Sequence, residues 1–130
     1  MAGAPTQLLE QVPLFSDLER KELEQIAGSM KQRKFDAGET VATEGEQGVG
    51  FFLIETGTAK VSVGGEDRRT LGPGDYFGEV ALISGSDRTA TVRADSDLTC
   101  WGLTAWAFRP IVEANASIAW KLLQALAKML

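Results

Sequence analysis

The 130 residues contain no histidine. That removes the commonest metal ligand and the commonest general base, so serine–histidine triads and histidine-built zinc sites are excluded. With those parts missing, neither a catalytic residue nor a metal site is expected, and the chain does not read as an enzyme. Cysteine occurs once, as Cys100, which excludes a disulfide framework and makes a reducing compartment the simpler reading. No apolar run approaches the ~20 residues that a membrane-spanning helix needs. The opening Met1-Ala2-Gly3-Ala4-Pro5 has neither a basic patch nor a hydrophobic stretch, so no signal peptide is expected and a cytoplasmic location is the default. Positive charge is also in short supply. Thirteen Lys and Arg stand against 18 Asp and Glu, a net charge of −5, whereas duplex binding needs a basic face. Neither nucleic acid nor membrane is an expected partner. What remains is ordinary: 44% hydrophobic and 24% charged residues suit one globular domain over 1–130 with a real core.

Periodicity divides the chain into three stretches. Leu8 to Val12 suggests a short helix closed by Pro13. Ser16 followed by Glu19 has the spacing of a capping box, opening a helix with Leu18, Leu23, Ile26, Ala27 and Met30 on one face. Short β-like runs cut by glycine follow, at Thr40–Thr43, Gly50–Glu55, Thr58–Val63, Arg68–Leu71, Thr89–Ala94 and Leu98–Leu103. Gly64-Gly65 is a two-residue hairpin signal, because both central positions can take positive φ. Gly72-Pro73-Gly74-Asp75 marks another turn. The last third is helical again. Thr104 is an N-cap for a helix to about Ala114, in which Pro110 predicts a kink or a tightened turn. A second helix runs from about Ser117 to Leu130, with Ile118, Leu122, Ala125, Leu126 and Met129 on one side and Leu123 and Leu130 widening the stripe. Many short strands at regular turn spacing argue for a sandwich or jelly roll.

The chemistry concentrates in Phe77-Gly78-Glu79-Val80-Ala81-Leu82 and in Arg88-Thr89-Ala90-Thr91-Val92. Gly78 lets the backbone come close to a ligand, because it has no Cβ. Glu79 to Ile83 reads as one helical turn whose free N–H groups favour an anion. Arg88 supplies a planar charged fork that suits a phosphate. Glu79 would repel a phosphate but accepts well from a sugar hydroxyl, so the pair suggests ribose and phosphate on one ligand. Taken singly, Gly78 reads as a turn glycine, Glu79 as a helix-start acid and Arg88 as a surface cation or a salt-bridge partner, with Glu79 one candidate for that partner. Cys100, alternating with Leu98 and Gly102, reads as a small buried hydrophobe. Trp101, Trp106 and Trp120 read as core or interface packing, and the Lys31, Arg33, Lys34 cluster as a solvated edge.

Together the two segments, FGEVAL and RTATV, resemble the phosphate-binding cassette of the cyclic-nucleotide-binding domain family, which includes catabolite activator protein and the regulatory subunits of cyclic-AMP-dependent protein kinase. The resemblance runs from about Leu14 to Leu130. It implies an α+β fold: a β jelly roll (double-stranded β-helix) over about 32–103, flanked by N-terminal helices and by two C-terminal helices over about 104–130. It implies a cyclic-nucleotide sensor without cofactor, binding cyclic AMP or cyclic GMP through Gly78, Glu79, Val80, Ala81, Arg88, Thr89 and Ala90, with Val61 against the purine. The preference for cyclic AMP follows by analogy with bacterial members, while threonine at position 89 would also suit a guanine 2-amino group. By the same resemblance the C-terminal helix moves on binding and offers a surface to an effector domain or a second copy, and the residues covering the base lie about one turn beyond Leu130. One departure stands out: Asp87 occupies a position where many members have proline.

Overall fold

Two four-stranded antiparallel sheets carry the middle of the chain in the computed structural model, which describes residues 3–46, 50–84 and 87–130. The strands are β1 (Lys31–Phe35), β2 (Thr40–Ala42), β3 (Gly50–Thr56), β4 (Ala59–Val63), β5 (Glu66–Leu71), β6 (Tyr76–Phe77), β7 (Thr91–Ala94) and β8 (Leu98–Thr104). One sheet has the order β1-β8-β3-β6 and the other β2-β7-β4-β5. Apart from the β4–β5 hairpin, strands consecutive in the chain alternate between the sheets, giving the expected jelly roll. Gly64 and Gly65 take φ of 61° and 83° between β4 and β5, as the hairpin reading requires.

Burial follows from the alternation along two central strands. In β8, Leu98 and Cys100 face the second sheet, whereas Trp101 and Leu103 face the helices. In β3, Ile54 faces the second sheet and Phe51 and Leu53 face the helices. Both faces of these strands are therefore covered, and two cores result. One lies between the sheets, with Ala59, Val61, Leu71, Val92 and Ala94 contributed by the second sheet. The other lies between β3/β8 and the helices, where Phe15, Phe51 and Phe108 meet. Burial pushes the Cys100 thiol up to about 12, so it packs as a small hydrophobe.

The helices are α1 (Thr6–Glu10), α2 (Arg20–Gly28), α3 (Glu79–Ser84), α4 (Ala105–Ala114) and α5 (Ala116–Met129), with a 3-10 turn at Pro13–Phe15. Several expectations need correction. The capping box is Glu19 with Glu22, not Ser16 with Glu19. The turn begun by Pro13 takes up Ser16, whose hydroxyl donates to the Pro13 carbonyl at 2.8 Å, and α2 starts four residues later. Thr89 and Ala90 lie in a bend before β7 rather than in a strand. Helix α4 does run to Ala114, with Pro110 inside it. The carbonyl that proline leaves without an N–H belongs to Trp106, which is exposed to solvent. Thr104 does cap α4, accepting from the Ala107 N–H at 3.2 Å. On α5 only Ile118, Leu122 and Ala125 are buried, while Leu123, Met129 and Leu130 stay exposed. Trp101 is a core residue; Trp106 and Trp120 are not.

Candidate functional site

Gly78 sits between β6 and α3 with φ of 92°, a conformation that L side chains rarely adopt. A Cβ there would overlap the Gly50 carbonyl oxygen and the Arg88 guanidinium, so the site needs glycine for space as well as for φ. The Gly78 carbonyl accepts the first helical bond of α3 from the Leu82 N–H at 3.0 Å. Helix α3 then buries Ala81 and Leu82 and leaves Val80 exposed.

Arg88 reaches the same place from the other side of the loop. Its Nη2 donates to the Gly50 carbonyl at 2.8 Å across 38 residues of chain. Its backbone is tied to the segment after β2: the Arg88 N–H donates to the Glu46 carbonyl at 2.8 Å and the Gly45 N–H to the Arg88 carbonyl at 2.9 Å. The guanidinium is half-buried, and that burial lowers its pKa from the usual arginine value. Among the described residues Arg88 has no carboxylate in ion-pair contact; in particular it does not pair with Glu79. The guanidinium is thus oriented by a neutral oxygen and keeps its charge free.

These elements close around a cavity of about 560 Å³, a size typical of small-ligand sites. All eight residues expected from the sequence line it: Val61, Gly78, Glu79, Val80, Ala81, Arg88, Thr89 and Ala90. The second sheet adds apolar side chains from all four of its strands, Ala42, Val61, Leu71 and Val92. Thr91, the neighbouring threonine, accepts instead from the Glu44 N–H at 3.0 Å. The cavity therefore combines charged and apolar lining residues, which suits a ligand with an anionic group and a flat unsaturated ring.

Sequence reasoning missed Arg69, Asp75 and Tyr76, which also line the cavity. Arg69 lies opposite Val61 in the β4–β5 register, the one signal that turns it inward. The Tyr76 hydroxyl has its pKa raised, first by burial and then by the Glu79 charge, with Arg69 opposing. Asp75 Oδ2 accepts from the Gly72 N–H at 2.8 Å and so closes the turn before the cassette. Among the described residues no cluster of three or more potential metal ligands occurs, and no helix is long and apolar enough to cross a membrane.

A family model described as the cyclic nucleotide-binding domain matches residues 32–115. A cAMP-dependent protein kinase regulatory subunit of Blastocladiella emersonii is 39% identical over 115 residues, covering 85% of this chain and 28% of that protein. Among solved structures, the regulatory domain of Toxoplasma gondii PKA, co-crystallised with cAMP, is 33% identical with a TM-score of 0.74; the match covers 82% of this chain and 42% of that one. The N-terminal domain of a transcriptional regulator from Streptomyces coelicolor A3(2) matches with a TM-score of 0.88 at 24% identity, over 94% of this chain and 91% of that one, a likeness of fold. The chain spans just over a quarter of the length of the Blastocladiella relative.

Proposed function

The chain belongs to the cyclic nucleotide-binding domain family, and from that premise we propose that it is a non-catalytic sensor that binds cyclic AMP in the cavity between α3 and the second sheet. Arg88, oriented by Gly50 and free of any carboxylate partner among the described residues, is the observation that carries the reading. Its fork takes the phosphate, and Gly78 gives the ligand backbone-close access. Glu79 accepts from the ribose 2′-hydroxyl, Val80, Ala81, Thr89 and Ala90 enclose the sugar–phosphate, and Val61 lies against the purine. Binding energy reaches an effector only where the ligand favours one of two arrangements of the C-terminal helix. Helix α3 touches α4 and α4 touches α5, which supplies the physical route. An effector domain or a second copy would dock on the exposed apolar face of α5, at Trp120, Leu123 and Leu130.

Cyclic GMP is the second reading. Thr89 and Arg69 both line the cavity, and a guanidinium matches guanine O6 and N7 in the way a hydroxyl matches its 2-amino group. Calorimetric titration with each nucleotide, followed by direct competition, tests both. Tighter binding of cyclic AMP is the expected result; a win for cyclic GMP reverses the order, and no binding of either at millimolar concentration overturns the function.

A further inference from the structure

The charges around the cavity do not balance in favour of an anion. Arg69 and Arg88 face three carboxylates, Asp75, Glu79 and Asp87. Asp75 is committed to the Gly72 turn, and the proposed function gives Glu79 to the ribose. Asp87 has no such task. It is exposed, lines the cavity next in sequence to Arg88, and has no side-chain partner among the described residues.

We infer that Asp87 is a selectivity charge: it sets a repulsive element beside the phosphate end of the cavity, which rejects dianionic phosphate monoesters more strongly than monoanionic cyclic diesters. The inference rests on the proposed function. A cyclic phosphate carries one negative charge, whereas a terminal phosphate with its second pKa near ~6 carries almost two at neutral pH. Repulsion from one fixed carboxylate scales with ligand charge, so the dianion suffers about twice the free energy. Specificity achieved by disfavouring the competitor costs some affinity for the right ligand, and Asp87 accordingly raises the concentration at which the sensor fills.

Solvent-exposed charge pairs interact by about 0.2–1 kcal/mol, which converts to a factor of roughly 1.4 to 5 at 1.4 kcal/mol per decade. Asp87→Asn should therefore tighten cyclic AMP by that factor and 5′-AMP by its square, roughly 2 to 30. The measurement is displacement of a fluorescent cyclic nucleotide from the parent and from Asp87→Asn, without divalent cations, at low salt and again at about 1 M salt, where the Debye length falls to ~3 Å and the gain should fade. Glu10→Gln, which removes one exposed charge on α1 that is not part of the cavity lining, should leave both affinities unchanged. Equal gains for the two ligands, no gain, or a gain reproduced by Glu10→Gln would each overturn the inference while leaving the proposed function in place. A parent chain that binds no cyclic nucleotide would overturn both.

Discussion

Replacing Arg88 with alanine is the most direct probe of the site, and the structure separates its two consequences. Among the described residues the side chain makes one hydrogen bond, to the Gly50 carbonyl at 2.8 Å. Losing it should cost about 1 kcal/mol, or roughly 4 °C in melting temperature for a chain of this length. Part of that is offset, because burial already disfavours the charged guanidinium. With ligand present the loss is larger: a phosphate left in a half-buried site without its cation costs on the order of 2–5 kcal/mol. That is at least roughly thirtyfold in affinity. Isothermal titration with cyclic AMP measures the second effect and thermal unfolding without ligand the first. Arg88→Lys keeps the charge but loses the planar fork and should fall between parent and alanine variant. If Arg88→Ala binds as tightly as the parent, the phosphate assignment is wrong. If affinity falls only in proportion to the fraction unfolded, Arg88 is a structural tie and nothing more.

Glu79→Ala should cost about 1.5–3 kcal/mol in cyclic AMP binding, and 2′-deoxy cyclic AMP should bind poorly to the parent yet no worse than cyclic AMP to the variant; equal parental affinity for the two ligands sinks the ribose role. Gly78→Ala places a Cβ against the Gly50 carbonyl and Arg88 at a φ of 92°, so it should lower stability by about 1–3 kcal/mol and weaken binding as well, checked by denaturant titration and calorimetry. Glu22 accepts from the Glu19 N–H at 2.9 Å, from Lys121 Nζ at 2.7 Å and from Ser117 Oγ at 2.9 Å, and its pKa is lowered, foremost by Lys121, from 4.5. Its contribution is therefore present above the unfolded-state value and lost as pH falls through the lower folded one. Glu22→Gln, which keeps an oxygen for the Glu19 cap, should be less stable than the parent at neutral pH and equal to it in acid; a gap that persists in acid would mean packing rather than charge.

What could be read in the sequence depended on distance along the chain. The cassette was legible because Gly78, Glu79 and Arg88 lie within one short segment and their chemistry is complementary. The tie that orients Arg88 was not, since Gly50 is 38 residues away and a carbonyl oxygen has no residue signature. Strand β1 escaped notice because all but Phe35 of its five side chains are exposed on a sheet edge, so no alternation marks it. Arg69 escaped for a related reason. The run Glu66-Asp67-Arg68-Arg69-Thr70 is polar throughout, and only its register against Val61 turns that one arginine into the cavity. On α5, the apolar positions formed one broad stripe in the sequence, but a helix against a single core covers only part of its circumference. Leu122 and Ala125 are inside, while Leu123 and Leu130 face out.

The choice of partner for Arg88 has a consequence of its own. A carboxylate in ion-pair contact would have held the guanidinium equally well, and Glu79 and Asp87 both line the same cavity. An incoming phosphate would then have had to displace an anion, losing most of what the new pair gains. The Gly50 carbonyl holds the fork without neutralising it, so the ligand meets a cation already oriented and only partly solvated, which lowers the ordering cost of binding. Gly78 makes that arrangement possible, because any side chain there would occupy the space of both the carbonyl and the guanidinium. The glycine and the arginine are therefore one device. Substituting either alone should remove most of the affinity, and substituting both should cost far less than the sum of the two, which a double-mutant cycle with cyclic AMP would measure.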